Sequence, residues 1–175
     1  MRSPLPAAAV SSVARSPRVF IVDDDVPVRE SLEALVHRAG WHAETFAAAH
    51  GFLAHPRVIA PSCLLLDVSL PDLNGLDLQE RLAADRDDMP IIFITGYGDV
   101  PMTVRAMTAG AMELLTRPFD DELLLAAIPQ AIDRSTRLLD ASETLREPER
   151  APQVADPARS RTSRRWSSPA SSTSR

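Results

Sequence analysis

The chain contains no lysine, so all 19 of its basic residues other than histidine are arginines. Its one cysteine, Cys63, excludes an intrachain disulfide and fits a reducing compartment. No stretch approaches the roughly 20 consecutive apolar residues that a membrane-spanning helix requires. The first residues carry Arg2 but no continuous apolar segment, since Pro4 and Pro6 interrupt it, and they do not resemble a signal peptide. We therefore predict a cytoplasmic protein without a membrane partner.

Acidic residues dominate the apolar part of the chain. Residues 18–140 contain 10 Arg against 20 Asp and Glu, a net charge of −10 within a whole-chain charge of −5. Binding to nucleic-acid phosphates requires a basic surface, so direct DNA binding is not expected. Both ends of the chain are rich in Ala, Ser, Pro and Arg, and the C-terminal one has few large aliphatic residues. We predict a disordered leader over 1–17, one domain over 18–139 and a disordered tail over 140–175.

Five short apolar runs alternate with five segments of helical periodicity. The apolar runs predict strands at residues 18–22, 41–46, 63–67, 91–95 and 112–116. A helix is predicted after each strand, and the last runs from about residue 121 towards 139 with a kink at Pro129. Nearly continuous apolar strands are typical of strands buried on both faces. The predicted fold is therefore α/β, with a doubly wound five-stranded parallel sheet and five helices.

Polar residues follow or end four of the five predicted strands. Asp23 and Asp24 follow the first strand, Asp67 ends the third, Thr95 ends the fourth and Arg117 follows the fifth. In a doubly wound sheet, ligands bind beyond the carboxyl ends of the strands, so these groups should converge. Three carboxylates repel one another unless a cation lies among them, and oxygen ligands without His or Cys favour Mg²⁺.

This arrangement suggests phosphoryl transfer onto a carboxylate. Asp67 would be the nucleophile, and Mg²⁺ would neutralise charge on the transferred group. A single aspartate at a strand end is more often a helix cap or a turn residue. The ordered set of acids, hydroxyl and cation, each at the end of a strand, favours the functional interpretation.

Four motifs resemble the receiver domains of two-component response regulators, in particular their FixJ-like branch: IVDDDVPVRESL, LLLDVSLPDLNGLDL, IIFITGYGDVPMTVRAMTAGA and ELLTRPFDD. The resemblance extends over residues 18–139 and implies a flavodoxin-like (CheY-like) fold. It implies a sensor histidine kinase as the phosphoryl donor. It also implies a possible homodimer through the fourth helix, the fifth strand and the fifth helix.

The same resemblance implies roles for the residues at the strand ends. Asp67 would be the phosphoacceptor, and Thr95 would be the hydroxyl that turns towards the phosphoryl group. Pro118 would follow a cis peptide bond. The Mg²⁺ ligands would come from four residues: Asp23, Asp24, Asp67 and, through its backbone carbonyl, Ser69.

The chain departs from the family pattern at two positions of the switch. Arg117 replaces the family's lysine, which keeps the charge but not the geometry of an ammonium group. This is either drift in a lysine-free chain or the mark of a slow or uncoupled switch. Leu114 stands where the family favours an aromatic residue that changes rotamer, so the relay from Thr95 to the surface is in question.

FixJ-like regulators usually continue into a LuxR-type DNA-binding domain. The residues after 140 have no apolar periodicity, so the sequence predicts a response regulator that lacks this domain. The tail is either a linker or an out-of-frame remnant of the lost domain, which the coding DNA would distinguish.

Three other functions compete with a switching receiver, which would not be an enzyme in the usual sense. The first is a receiver-fold module that titrates a kinase or regulator without switching. The second is a haloacid-dehalogenase-like phosphatase, which needs a second acid where this chain has Ser69. The third is a flavin-binding protein, which needs a phosphate-binding loop where this chain has three consecutive acids from Asp23.

Overall fold

Each predicted apolar run forms a strand of one parallel sheet. The structure is a computed structural model, and it describes residues 15–146. The strand order is β2-β1-β3-β4-β5, and all four strand pairs are parallel. The strands are β1 (Arg18–Val22), β2 (His42–Phe46), β3 (Ser62–Leu66), β4 (Ile91–Thr95) and β5 (Glu113–Thr116).

The helices follow the strands in alternation: α1 (Val26–Arg38), α2 (Ala49–Ala54), α3 (Gly75–Asp85), α4 (Val100–Thr108) and α5 (Asp121–Arg146). Side-chain caps fix where several of them begin. Asp25, Asn74 and Asp99 each accept a hydrogen bond from a backbone N–H in the first turn of α1, α3 and α4. Gly40 and Gly110 follow α1 and α4 with φ of 86° and 92°, a conformation that glycine adopts without strain.

The strands divide the apolar residues between two cores. Val19 and Ile21 of β1 face a core formed with α1 and α5, while Phe20 and Val22 face a core formed with α2, α3 and α4. This alternation follows from the two-residue period of a strand. Cys63 is fully buried, and burial raises the pKa of its thiol to about 12, so it acts as a packing residue.

The predicted fold class is confirmed: a doubly wound, flavodoxin-like sheet with helices on both faces. The chain passes from β1 outward to β2 and then returns to place β3 on the other side of β1. The switch point therefore lies between β1 and β3, where ligands bind in this class of fold. No helix within residues 15–146 is long and apolar enough to cross a membrane.

The last helix extends beyond residue 139, where the predicted domain ends. Helix α5 continues to Arg146, so residues 140–146 are helical rather than a disordered tail. After Pro129 the chain has no glycine or proline until Pro148. Glu143 also forms an ion pair with Arg15, which belongs to the predicted leader. Residues 1–14 and 147–175 lie outside the described residues, so the rest of the leader and tail predictions is untested.

The predicted interruption at Pro129 does not end α5, which is helical on both sides of it. Proline has no backbone N–H, so the carbonyl of Leu125, four residues earlier, loses its usual partner. The predicted bend at this position stays a prediction.

Candidate functional site

The switch point brings Asp23 and Asp67 together. They follow β1 and β3, which are paired up to Val22 and Leu66, and the Asp67 N–H donates to the Val22 carbonyl at 2.9 Å. Carboxylate oxygens of Asp23, Asp24 and Asp67 all lie within 4.8 Å of one another. Asp23 and Asp67 are only 1% and 5% exposed, while Asp24 is exposed. The predicted acidic cluster is therefore present, open to solvent on the side of Asp24.

The Asp23 carboxylate is only partly satisfied. Its Oδ1 accepts a hydrogen bond from the Asp25 N–H at 2.9 Å, but its buried Oδ2 has no hydrogen-bond partner among the described residues. Burial raises the pKa of Asp23 to about 6, and the negative charges of Asp67 and Asp24 add to this rise. The Asp25 hydrogen bond and the charge of Arg117 oppose it.

Arg117 supplies positive charge to the cluster. Its Nη2 lies 3.6 Å from Oδ2 of Asp23 and 3.4 Å from Oδ1 of Asp67. Its backbone N–H donates to the Thr95 carbonyl at 2.8 Å, which ties it to the end of β4. The peptide bond to Pro118 is cis, as the resemblance implied. The guanidinium thus lies between the two buried carboxylates, where it would contact an oxyanion bound to Asp67.

Thr95 ends β4 and is fully buried, but its hydroxyl does not bond to the acidic cluster. Its Oγ1 accepts from the Tyr97 N–H and donates to the Tyr97 carbonyl, both at 3.2 Å. Tyr97 as a whole is 86% exposed. In this conformation the hydroxyl holds the loop after β4, so its predicted turn towards a phosphoryl group would require breaking these bonds.

The loop after β3 is packed closely under Asp67. The exposed Ser69 donates its N–H to Oδ1 of Asp67 at 3.3 Å, and the Gly75 N–H donates to the Val68 carbonyl at 2.9 Å. A Cβ atom on Gly75 would lie 2.5 Å from the Asp67 carbonyl oxygen, closer than packed atoms can approach. The role of the Ser69 carbonyl as a metal ligand stays a prediction.

Two polar residues near the site were not predicted from sequence. Arg29, in the first turn of α1, donates from Nη1 to the Asp23 carbonyl at 2.6 Å. Asp72, in the β3–α3 loop, accepts from the N–H groups of Ala49 and His50 and so caps α2 from 23 residues away. Nothing in the local sequence marks either contact: Asp72 lies 23 residues from Ala49, and the spacing of Arg29 from Asp25 would suggest a pair with the Asp25 side chain rather than with the Asp23 carbonyl.

The donor set fits a hard divalent cation. It offers carboxylate oxygens from three residues close to one another, one of them a buried oxygen without a hydrogen-bond partner among the described residues, and no His or Cys lies in the cluster. Such oxygen ligands are typical of Mg²⁺, which also keeps several waters. Asp23, Asp24 and Asp67 are the residues that could hold it.

Comparison with known proteins identifies the architecture. The family described as "Response regulator receiver domain" matches residues 19–129, more than half of the chain. This chain belongs to the response regulator receiver family. Receiver domains are the signal-accepting parts of two-component systems, so the resemblance inferred from the sequence motifs is confirmed.

Several known response regulators are similar to this receiver. Nodulation protein W of Bradyrhizobium diazoefficiens is 45% identical over 127 residues, 73% of this chain and 56% of that protein. Response regulator protein TmoT of Ectopseudomonas mendocina is 41% identical over 138 residues, 79% of this chain and 59% of that protein. The chain therefore spans less than two thirds of the length of these curated relatives.

Solved structures agree with this assignment. The structure of response regulator StyR shares 48% identity at a TM-score of 0.70, over 75% of this chain and 66% of that one. Full-length FixJ from B. japonicum shares 34% identity at a TM-score of 0.65, over 75% of this chain and 65% of that one. A CheY-like receiver domain protein from Methanospirillum hungatei is 29% identical at a TM-score of 0.64, over 98% of its own length.

Proposed function

We propose that this receiver accepts a phosphoryl group on Asp67 from a sensor histidine kinase, with Mg²⁺ as cofactor, and that phosphorylation switches the binding of a partner. The observation that carries the proposal is the juxtaposition of buried Asp67 with Asp23, Asp24 and Arg117 at the switch point. A receiver domain in a two-component system implies such a kinase, and we expect both to act in the cytoplasm.

We expect the Asp67 carboxylate to attack the phosphorus atom in line with the bond that breaks. Its Oδ1 accepts the Ser69 N–H and faces Arg117, which leaves the other oxygen as the nucleophile. That oxygen would form a bond to phosphorus while the bond from phosphorus to the donor histidine nitrogen breaks and the histidine keeps the electron pair. Arg117 would contact the transferred oxygens, and a bound Mg²⁺ would neutralise part of their charge. The protein acts as substrate and catalyst of its own modification rather than as a conventional enzyme.

The output surface proposed for a homodimer lies on α4, β5 and α5. Apolar side chains are exposed there, including Val104 at 56%, Met107 at 44% and Leu123 at 56%. Contiguous exposed apolar groups often mark protein–protein contacts. Dimerisation on phosphorylation would cover this surface.

The direct test is the mass of the intact protein after incubation with acetyl phosphate and Mg²⁺. We expect the wild type to gain the mass of one phosphoryl group and Asp67→Asn to gain none. Asp77→Asn, an exposed aspartate of α3, is the matched control and should react like the wild type. EDTA should abolish the gain. An adduct that persists in Asp67→Asn would exclude Asp67 as the phosphoacceptor.

A receiver that binds a kinase or regulator without switching is the second candidate. Two observations favour it: Leu114 is a half-buried aliphatic residue on β5, and the Thr95 hydroxyl is held by the Tyr97 backbone. The mass of the oligomer, measured by light scattering with and without phosphorylation, distinguishes the switching receiver from the non-switching module. If phosphorylation leaves both the oligomer's mass and the affinity for the kinase unchanged, the non-switching module is supported.

A further inference from the structure

The side chain of Arg29 reaches back from α1 to the end of β1. Its Nη1 donates to the Asp23 carbonyl at 2.6 Å, while its backbone N–H donates to the Asp25 carbonyl at 2.9 Å. The residue is half-buried. One arginine thus joins the first carbonyl after β1 to the first turn of α1.

This contact is one of several hydrogen bonds that hold the backbone and side chain of Asp23. The Asp25 N–H donates to the Asp23 carboxylate at 2.9 Å, and the Asp25 side chain caps the Val28 N–H at 3.2 Å. With Arg29 on the carbonyl, both the carboxylate and the carbonyl of Asp23 are held. The peptide plane between Asp23 and Asp24 is therefore fixed. Asp24 is attached directly to that plane, so fixing the plane restricts where its exposed carboxylate can lie.

The guanidinium of Arg29 does not neutralise the acidic cluster by direct contact. Within residues 15–146, the ion pairs of Asp23 and Asp67 are made with Arg117, and Arg29 forms none. Its partner is a neutral carbonyl, so its contribution is to geometry. At longer range, the positive charge of Arg29 repels a cation bound in the acidic cluster.

We propose that Arg29 is a positioning residue for the divalent cation. It holds the Asp23–Asp24 peptide so that both carboxylates face the cation before binding, which lowers the ordering cost of binding. The inference rests on the proposed function only in taking this cluster as the cation site. Removing Arg29 has opposite effects under the two physical accounts: lost positioning weakens Mg²⁺ binding, whereas lost positive charge tightens it.

The experiment is calorimetric titration of Mg²⁺ into Arg29→Ala, Arg29→Lys and the matched control Arg38→Ala. Arg38 is an exposed arginine in the last turn of the same helix, so its variant removes the same charge without touching Asp23. We expect Arg29→Ala to weaken Mg²⁺ binding about tenfold, as is typical when a partner of a metal ligand is removed. Arg29→Lys should recover most of this loss, and Arg38→Ala should bind like the wild type.

Thermal unfolding in EDTA separates positioning from a general loss of structure. Affinity that is unchanged or tighter in Arg29→Ala overturns the inference, as does weaker affinity that accompanies a lowered melting temperature and is not recovered in Arg29→Lys. Should Arg29→Ala not fold, Arg29→Gln, which keeps the apolar stem, takes its place with the same expected weakening. A wild type that binds Mg²⁺ but is not phosphorylated overturns the proposed function alone. A wild type that does not bind Mg²⁺ overturns both.

Discussion

Replacing Asp23 with asparagine should stabilise the protein at neutral pH when no divalent cation is present. Burial raises the pKa of this carboxyl from 3.8 to about 6, so its ionised form is costly in the folded state. The difference between these two pKa values corresponds to a loss of about 3 kcal/mol in the free energy of unfolding, at about 1.36 kcal/mol per pKa unit. The gain should not exceed this value, because Arg117 would keep only Asp67 as its ion-pair partner.

The sign of the effect follows from proton linkage. Below about pH 3.8 the Asp23 carboxyl is neutral in both the folded and the unfolded chain, and its ionisation costs nothing. Between about pH 3.8 and 6 the unfolded chain releases this proton while the folded protein keeps it, so the wild type loses stability across that range. An asparagine cannot ionise. The advantage of Asp23→Asn should therefore grow from about pH 4 to 6 and stay constant above that.

The assay is urea unfolding in EDTA between pH 4.5 and 8, with Asp24→Asn as the control. Asp24 is exposed, so its variant should differ from the wild type by less than about 0.5 kcal/mol. Saturating Mg²⁺ should stabilise the wild type through its binding free energy and leave Asp23→Asn nearly unchanged. The reasoning is refuted if Asp23→Asn is no more stable than the wild type at pH 7.5, or if its advantage does not depend on pH.

Substitutions at three further positions test the loops around the site. Gly75→Ala places a Cβ 2.5 Å from the Asp67 carbonyl oxygen, so it should lower the free energy of unfolding in urea by about 1–3 kcal/mol and slow phosphorylation by acetyl phosphate. In the control Gly51→Ala the nearest contact of the new Cβ is 3.7 Å, so this variant should not destabilise the protein. Asp72→Ala removes the cap of α2 and should lower the free energy of unfolding by about 1 kcal/mol, so an unchanged midpoint would contradict that role. Arg117→Lys keeps the charge and should still be phosphorylated, whereas Arg117→Ala should react at least tenfold more slowly on the mass assay; equal rates for all three would show that this cation does not take part.

The secondary structure was predictable because its signals are local. The apolar run Leu64 to Leu66 predicts a buried strand without reference to the strands beside it. Asp25 and Asp99 each cap a helix by accepting a hydrogen bond from a residue three positions later in the chain. The end of α5 did not follow from such a local signal. The end of α5 was placed at residue 139 because the apolar periodicity stops there, but the helix continues to Arg146.

The composition of the site was also readable, since an acid, a hydroxyl or a cation follows four of the strands. The contacts that the site residues make could not be predicted from the sequence. The Thr95 hydroxyl bonds to the backbone of Tyr97 rather than to the cluster, and the reach of Arg29 to the Asp23 carbonyl depends on the angle at which α1 leaves β1.

The sequence by itself determined the five strands, the helices between them and the polar residues at the strand ends, because periodicity and capping act over a few residues. Only the tertiary structure decided that β3 pairs with β1. That pairing brings Asp67 to Asp23 and lets Arg117, which follows the edge strand β5, lie between them. Such distances are set by packing both sheet faces at once, and no single segment of the chain encodes them.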